Sequence, residues 1–504
     1  TSITATWFDF LHRPTTRAEY GTNGGSTFDR TTEAEPSASA SGRLVSKWSY
    51  DTAGSLASAT DPKGIQARYS YDDADRPLKV IENYVNGTPG TGSADDDRTT
   101  RYEYGYPSSG PGLVRKIIAD RGGTDDQITT YTYGTSVGGA MPSAVATGHL
   151  LHLIEYPDAP TPSDGDSVEL AYNLSRLVAK VRDQAGNVIS IGYDYAKREV
   201  SRKVAVPVVT GFDPAVDTIR TTYDNLGRIE SVSQYQTDTS PPYNETLIDK
   251  VKLTYDGWGK ITNFQQDWDS DIGASGGMPT KSVNYTYERS TAGRTTVRRA
   301  SMTWPGGDDL IYKYRSTGGR HDDAASRVSR LTLLNTTNDS ELDIVDYEYL
   351  GEDLVVRSES LQPAAYRQLY GSTATSFDDL DQFGRMTTDK WTRTTGYSGR
   401  PTINFFEAAV AYDDNSNVTL TDDKVHSTKF DVRYDIDNLN RLQRAQEGEW
   451  GGSSITQTRD EEWDLGQTGN WIIHKLNLNG DSDYTDAGEL DENNPDTGTS
   501  GFNF

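Results

Sequence analysis

Oxygen-bearing side chains alternate at Asn477, Asn479, Asp481 and Asp483, and Asp486 and Glu489 follow shortly after. A hard cation such as Ca²⁺ takes about six to eight oxygen ligands, and a short loop with oxygens at alternate positions can wrap one. Residues 477–489 are therefore the candidate Ca²⁺ site, with those six side chains as ligands. The competing reading is an acidic surface turn. A second candidate is Trp258, in the turn Gly257-Trp258-Gly259, where an exposed indole could stack on a sugar. Most tryptophans of a strand-rich chain instead pack against a sheet.

Other strings with chemical potential read as ordinary structure. Gly273-Ala274-Ser275-Gly276-Gly277 has the spacing of a hydrolase elbow, but it lies in a glycine-rich insertion without the strand-to-helix setting that motif needs. His149 and His152 form a close histidine pair, with no acid at helical spacing to complete a zinc site. Acid clusters at Asp95-Asp96-Asp97, Asp322-Asp323 and Asp378-Asp379 are expected to be solvated faces with weak cation binding. Paired glycosidase carboxylates would require a separation that sequence does not give. No catalytic set emerges, and the expectation is a non-enzymatic protein.

The 504 residues carry 75 acids against 49 Lys and Arg, for a net charge of −26. That balance repels nucleic acid phosphates and anionic membranes and attracts cations. With 34% hydrophobic residues, no single thick core is expected; 30 Tyr against 12 Phe suits thin sheets whose phenols stay wet or bonded. The absence of Cys excludes disulfides and thiolate chemistry. No stretch approaches the roughly 20 apolar residues of a membrane span, and no signal peptide pattern opens the chain. Thr1 is expected to be an internal position of a longer polypeptide.

What must position these residues is a recurring phrase of aromatic, acid, turn residues, Gly or Asn, and often Arg. It stands as Tyr223-Asp224-Asn225-Leu226-Gly227-Arg228, and returns at Tyr50-Asp51, Tyr71-Asp72, Tyr255-Asp256, Tyr412-Asp413 and Tyr434-Asp435. Trp7 to Arg13 is a worn copy with His12 at the glycine position. Between phrases, runs such as Lys47-Trp48-Ser49-Tyr50 alternate with the strand period. In the turns, Asp can accept downstream amides and Gly tolerates positive φ. Tyr50 to Tyr71 leaves room for two short strands and two tight turns, and none for a helix. Ala324 to Leu334 has the best helical pattern, although Ser326 to Leu333 also reads as a strand. Polar insertions at 21–42, 86–97, 157–166, 237–245 and 269–280 read as surface loops.

These phrases resemble the YD-repeat, or Rhs-repeat, family, most fully over Tyr50 to Leu78, where Asp75 replaces the second glycine. Tyr223 to Ile229, Asp381 to Arg385 and Tyr434 to Leu442 also fit. Relatives include bacterial toxin shells, insecticidal toxin components, teneurins and very large bacterial surface proteins, and this chain is most similar to the last. The resemblance implies an all-β fold, an array of stacked hairpins forming a spiralling sheet. The repeat array is expected over 1–471 and an acidic C-terminal segment over 472–504. The implied role is a structural fibre, shell or scaffold at the bacterial cell surface, contacting itself or other segments of the same polypeptide. An adhesin that binds surface glycans and a toxin-encapsulating shell are the alternatives. Asp61-Pro62-Lys63-Gly64 matches the aspartyl self-cleavage string of toxin shells, but sits where a repeat's second turn belongs. The loop at 477–489 is also similar to those of EF-hands and dockerins. It departs from them at Asn477 in the first position, at Gly480 before the third ligand, and at Glu489, one residue late.

Overall fold

The computed structural model describes residues 2–493, apart from 23–25, 30, 90–94, 106–111, 122–125, 158–165, 206–215, 238–243, 275–278, 291–296, 315–319, 352–353, 362–363, 370–376, 394–402, 427–429, 467–468, 470, 482, 485 and 487–488. The fold is all-β: among the described residues there are 33 strands in one antiparallel sheet and a single six-residue helix, Arg320–Ala325. Strands pair with their neighbours in sequence, as in the succession Leu44–Tyr50, Leu56–Thr60, Gln66–Tyr71 and Pro77–Glu82. Such local pairing follows from turns too short to cross over another strand.

The turn phrase is a closed hydrogen-bond set. At Asp224, Oδ1 accepts the amides of Leu226 and Arg228 at 2.9 Å each, while the backbone N–H of Gly227 donates to the Asp224 carbonyl. Gly227 sits at φ 83°, the left-handed region. Where glycine is missing from that slot, His12, Asp75 and Asn440 take the same conformation at φ 62°, 59° and 60°. His12 thereby occupies the glycine position as the spacing predicts.

In several of these turns an arginine ties the turn to the next hairpin. Arg228 Nε donates to Asp224 Oδ2 (2.7 Å), and Nη1 donates to the carbonyl of Asp256 (3.1 Å). Its guanidinium lies 4.4 Å over the ring of Tyr255. The Tyr255 hydroxyl donates back to the carbonyl of Ile229, next to the arginine, at 2.7 Å. Arg13 with Tyr50, Arg76 with Tyr104, Arg198 with Tyr223 and Arg385 with Tyr412 repeat the stack. The matching tyrosine bonds reach Pro14, Pro77, Glu199 and Met386. Each combines a charge-assisted bond with a cation–π contact, so the repeats are joined by side chains as well as by the ladder. Several of these tyrosines stand at a register shift, Tyr223 opposite Ile229 and Tyr255 opposite Ile261, which turns the ring toward the preceding hairpin.

Acid is expected to loosen these clamps. Asp9, Asp194 and Asp224 are held below the ordinary value of 3.8, chiefly by the backbone amide of the arginine four residues on. For Asp72 the bond from the Arg76 side chain is the larger cause. A depressed folded-state pKa means that the unfolded chain binds more protons, so stability rises with pH through that window. The contribution is present above 3.8 and is lost as pH falls through the lower folded values. Melting temperature at constant ionic strength should be flat near pH 5 and fall steeply below about pH 4. Asp224→Asn and Asp72→Asn should make that fall shallower.

The described residues divide into two compact units. The first comprises Thr1–Gly105, Gly112–Thr130 and Tyr366–Phe504; the second runs through Tyr131–Ala365. Unit one buries Ala18, Tyr20 and Val45, with Ile3, Ala5, Trp7 and Phe28 packed against them. It also joins turns far apart in sequence. Asp61 Oδ2 accepts from Asn415 Nδ2 (2.7 Å), and the Lys63 amide donates to Asn415 Oδ1 (3.2 Å). Lys63 Nζ donates to the Asp437 carbonyl and lies 3.5 Å from Asp413 Oδ2. Gln382 reaches back to the N-terminal hairpins: its Nε2 donates to the carbonyl of Gly42, and its own carbonyl accepts from the Thr22 amide. Asn438 donates its backbone N–H to Asp95 Oδ2.

In unit two the short helix supplies buried acids. Asp323 pairs with Arg298 at 2.6 Å, and Asp322 with Arg327 at 2.6 Å. The helix ends before the strand Arg330–Asn335, so the strand reading of that stretch holds and the helix lies earlier than its pattern indicates.

Two expectations need correction. Asp95, Asp97, Asp322 and Asp323 are not solvated faces: all are buried. Asp97 accepts the amides of Val85, Asn86 and Gly87, and so shapes the insertion at 86–97 from within. The insertion at 21–42 is likewise more than a surface loop. Phe28 packs its ring 5.0 Å from that of Tyr20, Glu33 accepts from the Tyr20 hydroxyl (2.6 Å), and Glu35 accepts from Thr16.

Candidate functional site

The six side chains proposed for Ca²⁺ fall in one loop held by sheet on both sides. Strand Trp471–Asn477 enters it, and Leu490–Asn493 leaves it paired antiparallel with the first, Leu476 opposite Leu490. Asn477 is fully buried and shapes the loop: Nδ2 donates to the carbonyl of Asp483 (2.6 Å), while Oδ1 accepts the amides of Asn479 and Gly480. Gly480 is at φ +77° with the Gln457 carbonyl 2.2 Å from where a Cβ would be, so the loop lies flat on the neighbouring strand. Asp481 Oδ1 accepts the Asp483 amide, and Glu489 accepts the amides of Leu478 and Asp486.

Asn479 Nδ2 bridges two carboxylates, donating to Asp481 Oδ2 (3.2 Å) and Asp486 Oδ2 (2.8 Å). A side-chain amide thus supplies partial positive charge between two acids. Among the described residues, no three His, Asp or Glu side chains are gathered as a metal-binding group. The oxygen set here would have to draw on Asn side chains and main-chain carbonyls as well as acids.

Trp258 is 72% exposed at its turn, its amide donating to Asp256 Oδ1 and the Arg289 guanidinium 5.7 Å over its ring. His149 and His152 do not form a site: His152 lies 3.5 Å from Glu169 and its other ring nitrogen bonds the Leu170 carbonyl. Asp61 is committed to structure, Oδ1 to the Ile65 amide and Oδ2 to Asn415, with Gly64 at φ 88°; Asp61-Pro62-Lys63-Gly64 is a repeat turn. Ser275, of the elbow-like string, lies outside the described residues. Sequence reading did not find the contacts that Gln382, Asn415 and Asn438 make to the N-terminal repeats. Their partners are hundreds of residues away and no local signal marks them.

Residues 50–88 hold three successive turns, at Asp51, Asp61 and Asp72, and match the RHS repeat family. The all-β architecture around this stretch agrees with the wider likeness of fold. The TcdB2-TccC3-Cdc42 structure matches with a TM-score of 0.55 at 12% identity, covering 97% of this chain and 24% of that one. A variant of the Photorhabdus luminescens Tc holotoxin pore gives 0.52 at 12%, covering 97% and 26%. TcdB2-TccC3-TEV gives 0.52 at 12%, covering 94% and 23%. The chain therefore spans about a quarter of each of these chains, and at this identity the likeness is one of fold. No curated protein matches the chain in sequence. No helix among the described residues is long and apolar enough to cross a membrane.

Proposed function

We propose that this chain is a structural wall segment of a larger RHS-repeat protein, secreted to the bacterial cell surface, whose work is assembly and not catalysis. The observation that carries the reading is the clamp between successive hairpins. Arg13, Arg76, Arg198, Arg228 and Arg385 each spend their guanidinium on an aspartate and on the next tyrosine. Charges so engaged stiffen a sheet and leave little freedom for proton transfer. The RHS repeat at 50–88 and the shared fold with Tc toxin chains support a shell or scaffold. Its contacts are with other segments of the same polypeptide or with further copies through strand edges. Electron microscopy of the untagged, full-length native material tests this. Regular filaments or hollow particles are expected; a dispersed, unassembled protein would overturn it.

The loop at 477–489 is proposed as a Ca²⁺ site that stiffens the C-terminal end of the array. The bridged pair Asp481 and Asp486 supports this, because Ca²⁺ favours flexible, acid-rich oxygen loops. A chelator should lower the melting temperature of this segment and Ca²⁺ should restore it, and Asp481→Ala with Asp483→Ala should erase the difference. An unchanged melting curve in chelator would sink the assignment.

A further inference from the structure

We propose that unit two carries a binding groove for an acidic saccharide, created where a lysine replaces the clamp arginine. The turn Asp256-Gly257-Trp258-Gly259-Lys260 has every backbone feature of the others, with Asp256 Oδ1 accepting the amides of Trp258 and Lys260 and Gly259 at φ 81°. In the turns that carry the clamp the fifth residue is an arginine that pairs with its aspartate and covers the next strand-end tyrosine, as Arg228 covers Tyr255, whereas Ser55, Asn187 and Asn417 hold that place in turns without a cation. The tyrosine due for covering here is Tyr287, and its hydroxyl still donates to the carbonyl of Ile261 as the pattern requires (2.7 Å). Lys260 makes no ion pair with any described residue, Asp256 included, and is exposed. The tyrosine lock is present without its arginine lid.

The space left is a groove of about 490 Å³, lined by Lys260, Ile261, Phe264, Tyr285, Tyr287 and Arg299 among others. That volume falls in the range of small-molecule sites, roughly 300–1,000 Å³. Its floor is aromatic. Tyr285 and Tyr287 stand on one face of strand Lys281–Arg289, about 7 Å apart along it, with Arg299 over the first ring and, among the described residues, no cation over the second. Its rim is cationic. Arg299 stacks 4.5 Å over Tyr285 and has no carboxylate partner among the described residues; its guanidinium bonds the Tyr312 and Tyr287 hydroxyls, and the rest of its five N–H donors remain for an anion.

Aromatic floor and cationic rim together select a ligand with flat apolar faces and a carboxylate. A uronate-containing oligosaccharide has both, whereas an acidic peptide offers the charge without the stacking faces. The Arg299 donors that the tyrosine hydroxyls leave take a carboxylate, Lys260 adds a point charge, and Tyr287 takes a C–H face of the sugar.

The test uses the full chain and three probes in calorimetry or NMR titration: a hyaluronan tetrasaccharide, neutral cellotetraose and an oligo-glutamate peptide. The hyaluronan fragment should bind, and bind more weakly as salt rises. Arg299→Gln should weaken it at least tenfold. Lys260→Arg is the sharper variant, because it keeps the charge and restores the lid. It should raise the melting temperature and weaken binding at least tenfold, an outcome that simple charge attraction does not produce. No binding of hyaluronan by the wild-type chain, equal binding of cellotetraose or oligo-glutamate, or undiminished binding by a folded Lys260→Arg protein would each overturn the proposal. If Arg299→Gln does not fold, Lys260→Arg alone decides, since the clamp arginine it introduces is accommodated at Arg228.

Discussion

Asp323→Ala is expected to destabilise unit two by about 3–5 kcal/mol, the cost of stranding a buried charge. Asp323 is 1% exposed and Arg298 is 8% exposed. The guanidinium donates to Asp323 through Nη2 to Oδ1 (2.6 Å) and through Nη1 to the carbonyl (2.9 Å), and to Glu288 through Nε (2.9 Å). Beneath it, 3.8 Å away, lies the ring of Tyr314, whose hydroxyl is pushed up to about 12, mainly by burial, and donates to the Arg299 carbonyl. Removing the carboxylate leaves Arg298 with the half-exposed Glu288 as its remaining acid partner. The helix Arg320–Ala325 depends on such anchors, Asp323 with Arg298 and Asp322 with Arg327, because one turn and a half of helix does not persist alone. Urea unfolding with tyrosine fluorescence should show a lower midpoint, and hydrogen exchange should show the loss concentrated at 288–330. Replacing the pair together, Arg298→Met with Asp323→Leu, should recover most of the stability. A double variant as damaged as Asp323→Ala would mean that the pair is needed for its hydrogen bonds and not its charge balance.

Gly21→Ala is expected to cost unit one about 2–5 kcal/mol, the sum of a left-handed backbone penalty and overpacking. Gly21 sits at φ +57°, and a Cβ there would lie 1.9 Å from the Gln382 carbonyl oxygen, which is the acceptor of the Thr22 amide at 2.7 Å. The neighbour is backbone and cannot swing away. Gly42 is the internal control. It is also left-handed, at φ +88°, but its nearest neighbour is the flexible Gln382 amide at 3.5 Å. Gly42→Ala should cost only the backbone term, about 1–2 kcal/mol. Thermal melts of both, with limited proteolysis at the 21–42 segment, separate the two. Equal losses would mean that the approach of Gln382 to Gly21 is not a constraint in solution.

Much of this architecture is legible in the residues. The Tyr-Asp phrase predicts a strand end followed by an Asx-type turn, and Asp224, Asp256 and Asp381 each accept amides two and four residues on. Even the degenerate copies obey, since His12 and Asp75 pay the left-handed cost that glycine avoids. The clamp arginines also stand in the phrase, although their second partner, a tyrosine some thirty residues away, is visible only once the hairpins stack. The buried acids were illegible for a related reason. Asp95 meets Asn438 across 343 residues and Arg298 meets Asp323 across 25, and a run of aspartates looks solvated until such partners are placed. Hydropathy assigns charge to the surface, whereas in a thin sheet with few apolar side chains the deep positions go to hydrogen-bonded polar groups, Asn477, Asp97 and Asp460 among them. The helix of six residues is shorter than any periodic pattern can register.

The bonds from Lys63 to Asp437 and from Gln382 to Gly42 span 374 and 340 residues, and they close a unit whose sequence is interrupted by the whole of the other. A ribosome therefore finishes Tyr131–Ala365 while the first 130 residues still lack their partners. At roughly 5–20 residues per second, the interval from residue 130 to residue 440, 310 residues, lasts roughly 15–60 seconds. During that interval the edges that later meet Gln382, Asn415 and Asn438 are open to any strand that passes. The nascent chain thus has a birth order, with the inserted unit complete first and the outer one sealed last.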